Sequence, residues 1–263
     1  MEPLFDMRAR AQRRDRAFRS GPALFLYERA FSDILERLGE VRHSFGSALL
    51  IGSPNAAWRE RLAQIGAEVR ILDPGDAFAR AAGGSTVVED AIDLEPASFD
   101  LIVAVGTLDT VNDLPGALLR FRFLLKPDSL LIGAISGGDT LPRLRQAMRA
   151  ADALTGTAVP HVHPRIEPAG LAQLLANGGF LMPVVDVDRV EVSYPSLRAL
   201  VSDLRAMGAT NVLTERPRLP LGRAALAAAE REFMGGGSRA TERFEVLHFA
   251  GWSASETGQA AEG

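Results

Sequence analysis

Cysteine is absent from the 263 residues, so the chain forms no disulfide, carries no thiolate nucleophile and offers no cysteine-ligated zinc or iron–sulfur site. Lysine is nearly absent as well. Lys126 is the single one and the other 28 of the 29 basic residues are arginine, which we read as a coding bias. No apolar run reaches the roughly 18 residues of a membrane span. The N-terminus carries charges where a secretory signal needs an apolar core. A soluble, cytoplasmic chain is the expectation, and the missing thiols fit a reducing compartment. The formal charge of -4 argues against a nucleic-acid binder that works by neutralising many phosphates. A G-x-S-x-G elbow for a serine nucleophile is missing too.

What is present reads as an α/β protein. At 47% hydrophobic content the length suits one large core, with room for an insertion. The first 38 residues carry Arg8, Arg10, Arg13, Arg14, Arg16 and Arg19 at helical spacing, then Phe25, Leu26, Ala30, Ile34 and Leu38. This predicts two helices broken at Gly21 and Pro22. The arginines read as a solvated face, with an acidic partner or peripheral contact with a membrane surface as the alternative. From Ser47 onward, β-rich runs over 48–51, 68–72, 86–88, 99–105 and 130–135 alternate with helices near 56–65, 76–82, 114–124 and 140–154. That alternation predicts a mostly parallel, doubly wound sheet with helices on both faces.

Beyond residue 155 the rhythm loosens. A loop bearing proline and histidine leads to a helix over 168–177, closed by Gly178 and Gly179. A late pair of antiparallel strands is expected over 180–187 and 189–194, helices over 195–207 and 222–233, and a final strand over 243–251. The expected divisions are a helical segment over 1–44, a core over 45–252 with lid elements over 155–240, and a disordered tail over 253–263.

Several residues carry the chemistry. The stretch SALLIGSPNA at 47–56 has the shape of a nucleotide-binding strand and turn, in which glycines let the backbone approach a ligand at the next helix's positive end. Only Gly52 remains here; Pro54 removes a donor and Ala56 adds a methyl. Asp73, followed by Pro74 and Gly75, suits a ribose contact or a plain turn opening. Glu89 and Asp90 read as a solvated pair or as a base contact. Gly137, Gly138, Asp139 and Thr140 turn the chain after the fifth run, with Asp139 or Thr140 capping the next helix. The same loop is a candidate for lining the cleft. His161 and His163 alternate in an extended segment, and with Asp139 or Glu167 would make a two-histidine, one-carboxylate set. Ordinary loop histidines are the simpler reading, and no metal is assigned. Tyr194, Asp203 and Arg205 line a lid or belong to an amphipathic helix with solvated ions.

Residues 98–141, SFDLIVAVGTLDTVNDLPGALLRFRFLLKPDSLLIGAISGGDTL, resemble the middle of class I S-adenosylmethionine-dependent methyltransferases of the type 11 and biotin-biosynthesis kind. More narrowly, VNDLP at 111–115, GGDTL at 137–141, PH at 160–161, YP at 194–195, DLRAMGATN at 203–211 and GW at 251–252 are similar to the mitochondrial and alphaproteobacterial family of respiratory complex I assembly factors described as arginine hydroxylases. SFDLIV and LKPD are common to the superfamily, whereas GGDTL with YP and DLRAMG is more specific. The resemblance runs from Leu4 to Trp252 and implies a Rossmann-like methyltransferase fold with a C-terminal lid of helices and strands.

Carried over by position, the resemblance puts the first motif's acid at Leu50 and its three glycines at Gly52, Pro54 and Ala56, so three of four positions depart. The acid that accepts from the ribose hydroxyls falls on Asp73, and the one facing the adenine amine on Glu89 or Asp90. The family's His-Trp after the fourth strand falls on Asp109 and Thr110. S-adenosylmethionine would thus meet Gly52, Ser53, Asp73, Glu89, Asp90 and Val105. Substrate would meet Asp109, Gly137, Gly138, Asp139, Thr140, His161 and Tyr194. The implied activity is methylation or hydroxylation of an arginine on a protein partner, the complex I iron–sulfur subunit. Two other readings stand beside it: a non-catalytic assembly scaffold with a decayed cofactor loop, and a methyltransferase acting on a small-molecule carboxylate.

Overall fold

The computed structural model describes residues 2–156, 158–217 and 219–255. The expected tail over 253–263 lies largely outside them. Two helices, α1 (Met7–Ser20) and α2 (Phe25–Glu40), precede an alternation of β1 (Ser47–Ile51), α3 (Trp58–Ala63), β2 (Glu68–Asp73), α4 (Asp76–Ala81), β3 (Ser85–Thr86), β4 (Phe99–Val105), α5 (Leu114–Leu124) and β5 (Leu125–Ser136). The second half runs through α6 (Pro142–Thr155), α7 (Pro168–Asn177), β6 (Leu181–Tyr194), α8 (Leu197–Ala206), α9 (Arg223–Met234) and β7 (Ala240–Trp252).

The seven strands form one sheet in the order β3-β2-β1-β4-β5-β7-β6. All neighbours from β3 to β5 are parallel, and β7 runs antiparallel to both β5 and β6. This is the Rossmann-like methyltransferase arrangement. The central strands read as unbroken apolar runs because helices cover both faces. Alternate side chains go to opposite sides: Leu49, Ile51, Ile102 and Ala104 pack with Leu118 and Phe121 of α5, while Ala48, Leu50, Leu101 and Val103 pack with Phe31 and Ile34 of α2 and Trp58 of α3. A third cluster joins α6, α8 and α9 into a roof.

Caps explain several helix starts. Asp6, Asp113 and Ser196 each accept a hydrogen bond from a backbone N–H of the first turn of α1, α5 and α8. Neither Asp139 nor Thr140 caps α6, contrary to the expectation from sequence. Leu141 precedes that helix in a left-handed conformation without a side-chain cap. The acceptor is the buried Glu242 of β7, whose carboxylate receives the N–H of Leu144 at 2.8 Å and of Arg143 at 3.2 Å. Burial raises the pKa of Glu242 despite these bonds.

Two further expectations are corrected. The late antiparallel pair is one continuous 14-residue edge strand, β6, and its antiparallel partner is β7. Its charged residues Asp186, Asp188, Arg189 and Glu191 break the apolar pattern as an exposed edge requires. The arginines of α1 are not all solvated, since Arg10 and Arg14 are buried together with Ala9 and Ala17.

The face under α2 is anchored by Trp58, fully buried and stacked on Phe31 at a centroid distance of 4.1 Å, with its indole N–H donating to Glu28 at 2.8 Å. Trp58→Ala is expected to lower stability by about 3–5 kcal/mol, and Trp58→Phe by clearly less, as read from urea unfolding midpoints.

Candidate functional site

Strand order reverses between β1 and β4, so the crevice at their carboxyl ends is the switch-point position where open α/β sheets hold ligands. Gly52 closes β1 with φ +83°, and a Cβ there would lie 2.2 Å from the Val105 carbonyl oxygen and 2.6 Å from Thr107. The approach of β4 alone therefore requires glycine. Gly106, at φ +65°, is needed for a different reason: an added Cβ would lie 2.3 Å from the ring of Tyr27 on α2. The Tyr27 hydroxyl donates to the Met207 carbonyl at 3.1 Å, pinning the ring across the crevice, and burial raises its pKa.

Asp73, at the end of β2, is fully buried and accepts four hydrogen bonds. The backbone N–H of Gly75 and Nε of Arg14 donate to Oδ1 at 2.7 and 2.9 Å. The backbone N–H of Ser53 and Nη2 of Arg14 donate to Oδ2 at 2.8 and 2.6 Å. A carboxylate has about four acceptor sites, so Asp73 is saturated. Burial opposes the charge on Arg14, but the Asp73 carboxylate outweighs it and the pKa is raised.

Glu89 is not the solvated residue that a plain surface pair would be. It is wholly buried on a 3₁₀ turn, Glu89–Ala91, and takes both terminal nitrogens of Arg10, at 2.6 and 2.7 Å. The same Arg10 donates to the Thr107 carbonyl at 2.6 Å, which ties α1 to the end of β4. Two residues of one helix, one turn apart, thus hold the two acids through two-pronged bonds.

Asp109 follows β4 and forms a buried ion pair with Arg165. Burial pushes the Asp109 pKa up, but the charges of Arg165 and its neighbours more than reverse this and lower it, so it stays ionised. Tyr27, Asp109 and Arg165 separate two small hollows. One, of about 70 Å³, is bounded by Val105, Ser136 and Glu245; the other, of about 30 Å³, by Arg10, Arg14 and His163.

Of the residues expected from sequence, Gly52, Ser53, Asp73, Glu89, Val105 and Asp109 come together at the crevice, and Thr140 reaches it from the roof side, its hydroxyl donating to the Glu245 carbonyl. Gly137 and Gly138 lie against the Glu245 and Glu167 carboxylates, so a side chain at either position would displace a glutamate. Others have partners elsewhere. Asp90 accepts from the Asp113 N–H, Asp139 pairs with Arg243, and Tyr194 is packed in the roof cluster. His161 meets Asp152 at 2.9 Å while His163 accepts from the Val212 N–H, so the two imidazoles serve separate partners. Among the described residues no group of three or more His, Asp or Glu is placed to hold a metal. Sequence reasoning missed Arg10, Arg14, Tyr27, Arg165 and Glu245.

His163 is an acid-sensitive element of this region. Burial, followed by the charge of Arg165, lowers its pKa from 6.5 to about 3, and its Nε2 must stay unprotonated to accept from Val212. The unfolded chain therefore binds a proton that the folded chain refuses. Stability from this group is whole above pH 6.5 and is lost as pH falls toward 3, by about 2 kcal/mol between pH 7 and 5. His163→Gln, which keeps an acceptor but does not titrate, is expected to flatten that part of the pH dependence of the urea midpoint.

The acids are of the kind that accepts from a nucleoside, and they stand at the carboxyl-end side of the sheet, with Asp73 closing β2 and Glu89 on the turn after β3. Comparison with known proteins agrees with the geometry. A model described as methyltransferase domain matches residues 49–133. The mitochondrial arginine-hydroxylase NDUFAF5 of Danio rerio is 31% identical over 242 residues, covering 87% of this chain and 75% of that protein. The chain spans only about half the length of the mouse and human proteins of that name. The malonyl-[acyl-carrier protein] O-methyltransferase of Xylella fastidiosa is 38% identical over 162 residues, 60% of this chain and 52% of its own. In fold, the chain is similar to Bacillus subtilis YcgJ, with TM-score 0.57 at 10% identity, over 87% of this chain and 99% of that one. The chain belongs to the arginine-hydroxylase NDUFAF5 family and carries a methyltransferase domain.

Proposed function

We propose that the protein binds S-adenosylmethionine at the carboxyl ends of β1, β2 and β4 and modifies an arginine of a protein subunit during assembly of respiratory complex I. The observation that supports this reading is the pair of fully buried carboxylates, Asp73 at the end of β2 and Glu89 on the turn after β3, which are the residues the family resemblance matches to the ribose and adenine contacts. Bound there, the cofactor supplies an electrophilic methyl group on a sulfonium. The chain's own part is placement. Asp73 accepts from the ribose, Glu89 from the adenine amine, and Gly52 lets β1 and β4 close together beneath them. Tyr27 and the Asp109–Arg165 pair bound the far side of the crevice, where a substrate side chain would enter beside an ionised carboxylate. Catalysis by such a site rests on proximity within a closed, dry cleft.

The name of the relatives supports arginine as the side chain acted upon, and the motifs shared with assembly factors support complex I as the setting. A second reading, a scaffold that binds its partner without catalysis, is favoured by the saturation of Asp73 by protein donors. Mass spectrometry of the complex I iron–sulfur subunit from a strain lacking this protein separates them. The enzyme reading expects an arginine lighter than in the parent by one methylene, for methyl transfer from the sulfonium, or by one oxygen, for hydroxylation that draws on dioxygen and an external two-electron reductant, with Asp73→Asn reproducing the loss. An arginine of unchanged mass alongside defective assembly would establish the scaffold instead.

A further inference from the structure

We propose that α1 is an internal competitor for the nucleoside site, holding Asp73 and Glu89 through Arg14 and Arg10 until S-adenosylmethionine displaces it. This rests on the cofactor reading above and adds a conformational step to it. The acceptor count at Asp73 is the starting point. Its four sites are filled by Ser53, Gly75 and the two nitrogens of Arg14, so no site is left for a ribose. The backbone donors belong to the loops after β1 and β2 and stay with the sheet. The Arg14 fork belongs to another helix, and its two N–H groups take one site on each oxygen. Two vicinal ribose hydroxyls are also two adjacent donors, so the exchange is one for one. At Glu89 the Arg10 fork likewise covers both oxygens from the same helix.

The seam under α1 is built for exchange. Its buried side chains within the helix are Ala9, Ala17 and the two arginines, with no large apolar residue among them. Two alanines bury little apolar area, so the buried attachment along this face is largely the arginine forks, supplemented at the rim by Phe18 edge-on to Phe78 at 5.3 Å, by Asp15 accepting from the Ala77 N–H and by Arg13 donating to Thr210. Phe18 at its far end remains 40% exposed. The connection to α2 passes through Gly21, at φ +86°, with no atom within 4 Å of where a Cβ would stand. The opposite end is tied by Phe5 against Val212 and Leu213 and by Asp6 to Arg216, so displacement also loosens the segment after α8.

The test uses the full chain and S-adenosylmethionine. Hydrogen exchange of the α1 amides is followed with and without saturating ligand, and affinity is measured by calorimetry for the parent and for Arg10→Gln/Arg14→Gln. The expected result is faster exchange across α1 in the presence of ligand and at least tenfold tighter binding by the double variant. Ligand binding that leaves α1 exchange unchanged, or equal affinities, overturns the competitor role while leaving the cofactor reading intact. Absence of binding by both proteins overturns both. Should the double variant fail to fold, the exchange measurement on the parent protein decides alone.

Discussion

The four hydrogen bonds on Asp73 link three parts of the chain that are far apart in sequence: the turn after β1, the turn after β2 and the N-terminal helix. A buried carboxylate with open acceptor sites is costly, and a buried guanidinium without an anion more so. Neither group is tolerable alone in this interior, and each is the reason the other can be there. Through this pair, and through Arg10 with Glu89, α1 is drawn onto the end of the sheet, although its own residues offer it almost no apolar face.

The sheet imposes a second constraint at the same place. β1 and β4 approach so closely at their ends that Gly52 must lack a side chain, and Tyr27 fills the space over Gly106. The one surviving glycine of a degenerate nucleotide motif is thus explained by packing. The acids are more informative than the glycine, because each pairs with an arginine of α1 and so reports how the N-terminal helix meets the sheet. Function on this fold is therefore argued from Asp73 and Glu89, and the fold itself only sets where they stand.

How much of this was legible in the sequence depends on the distance over which each feature is decided. β4 and α7 were placed at their observed bounds because an unbroken apolar run, a leading proline and a closing glycine pair are local signals. β6 reads from sequence as two strands parted at Asp188, and only its place at the sheet edge shows why one strand tolerates that residue. The cap of α6 was misassigned because its acceptor, Glu242, lies 98 residues away from Leu144. Arg10 and Arg14 looked like a charged surface for the same reason. Their partners are 79 and 59 residues distant, and nothing in an arginine-rich helix distinguishes the face that meets them. Asp73 was legible as a candidate through family resemblance and its place at a strand end.

The capping of α6 by Glu242 has a mechanical consequence. A helix that carries its own cap is free to tilt as a unit, whereas this one has its first turn stapled to the third rung from the end of the sheet's antiparallel ribbon. The canopy made by α6, α8 and α9 is thereby tethered to the floor beneath it by main-chain bonds that no substitution within α6 itself, proline aside, removes.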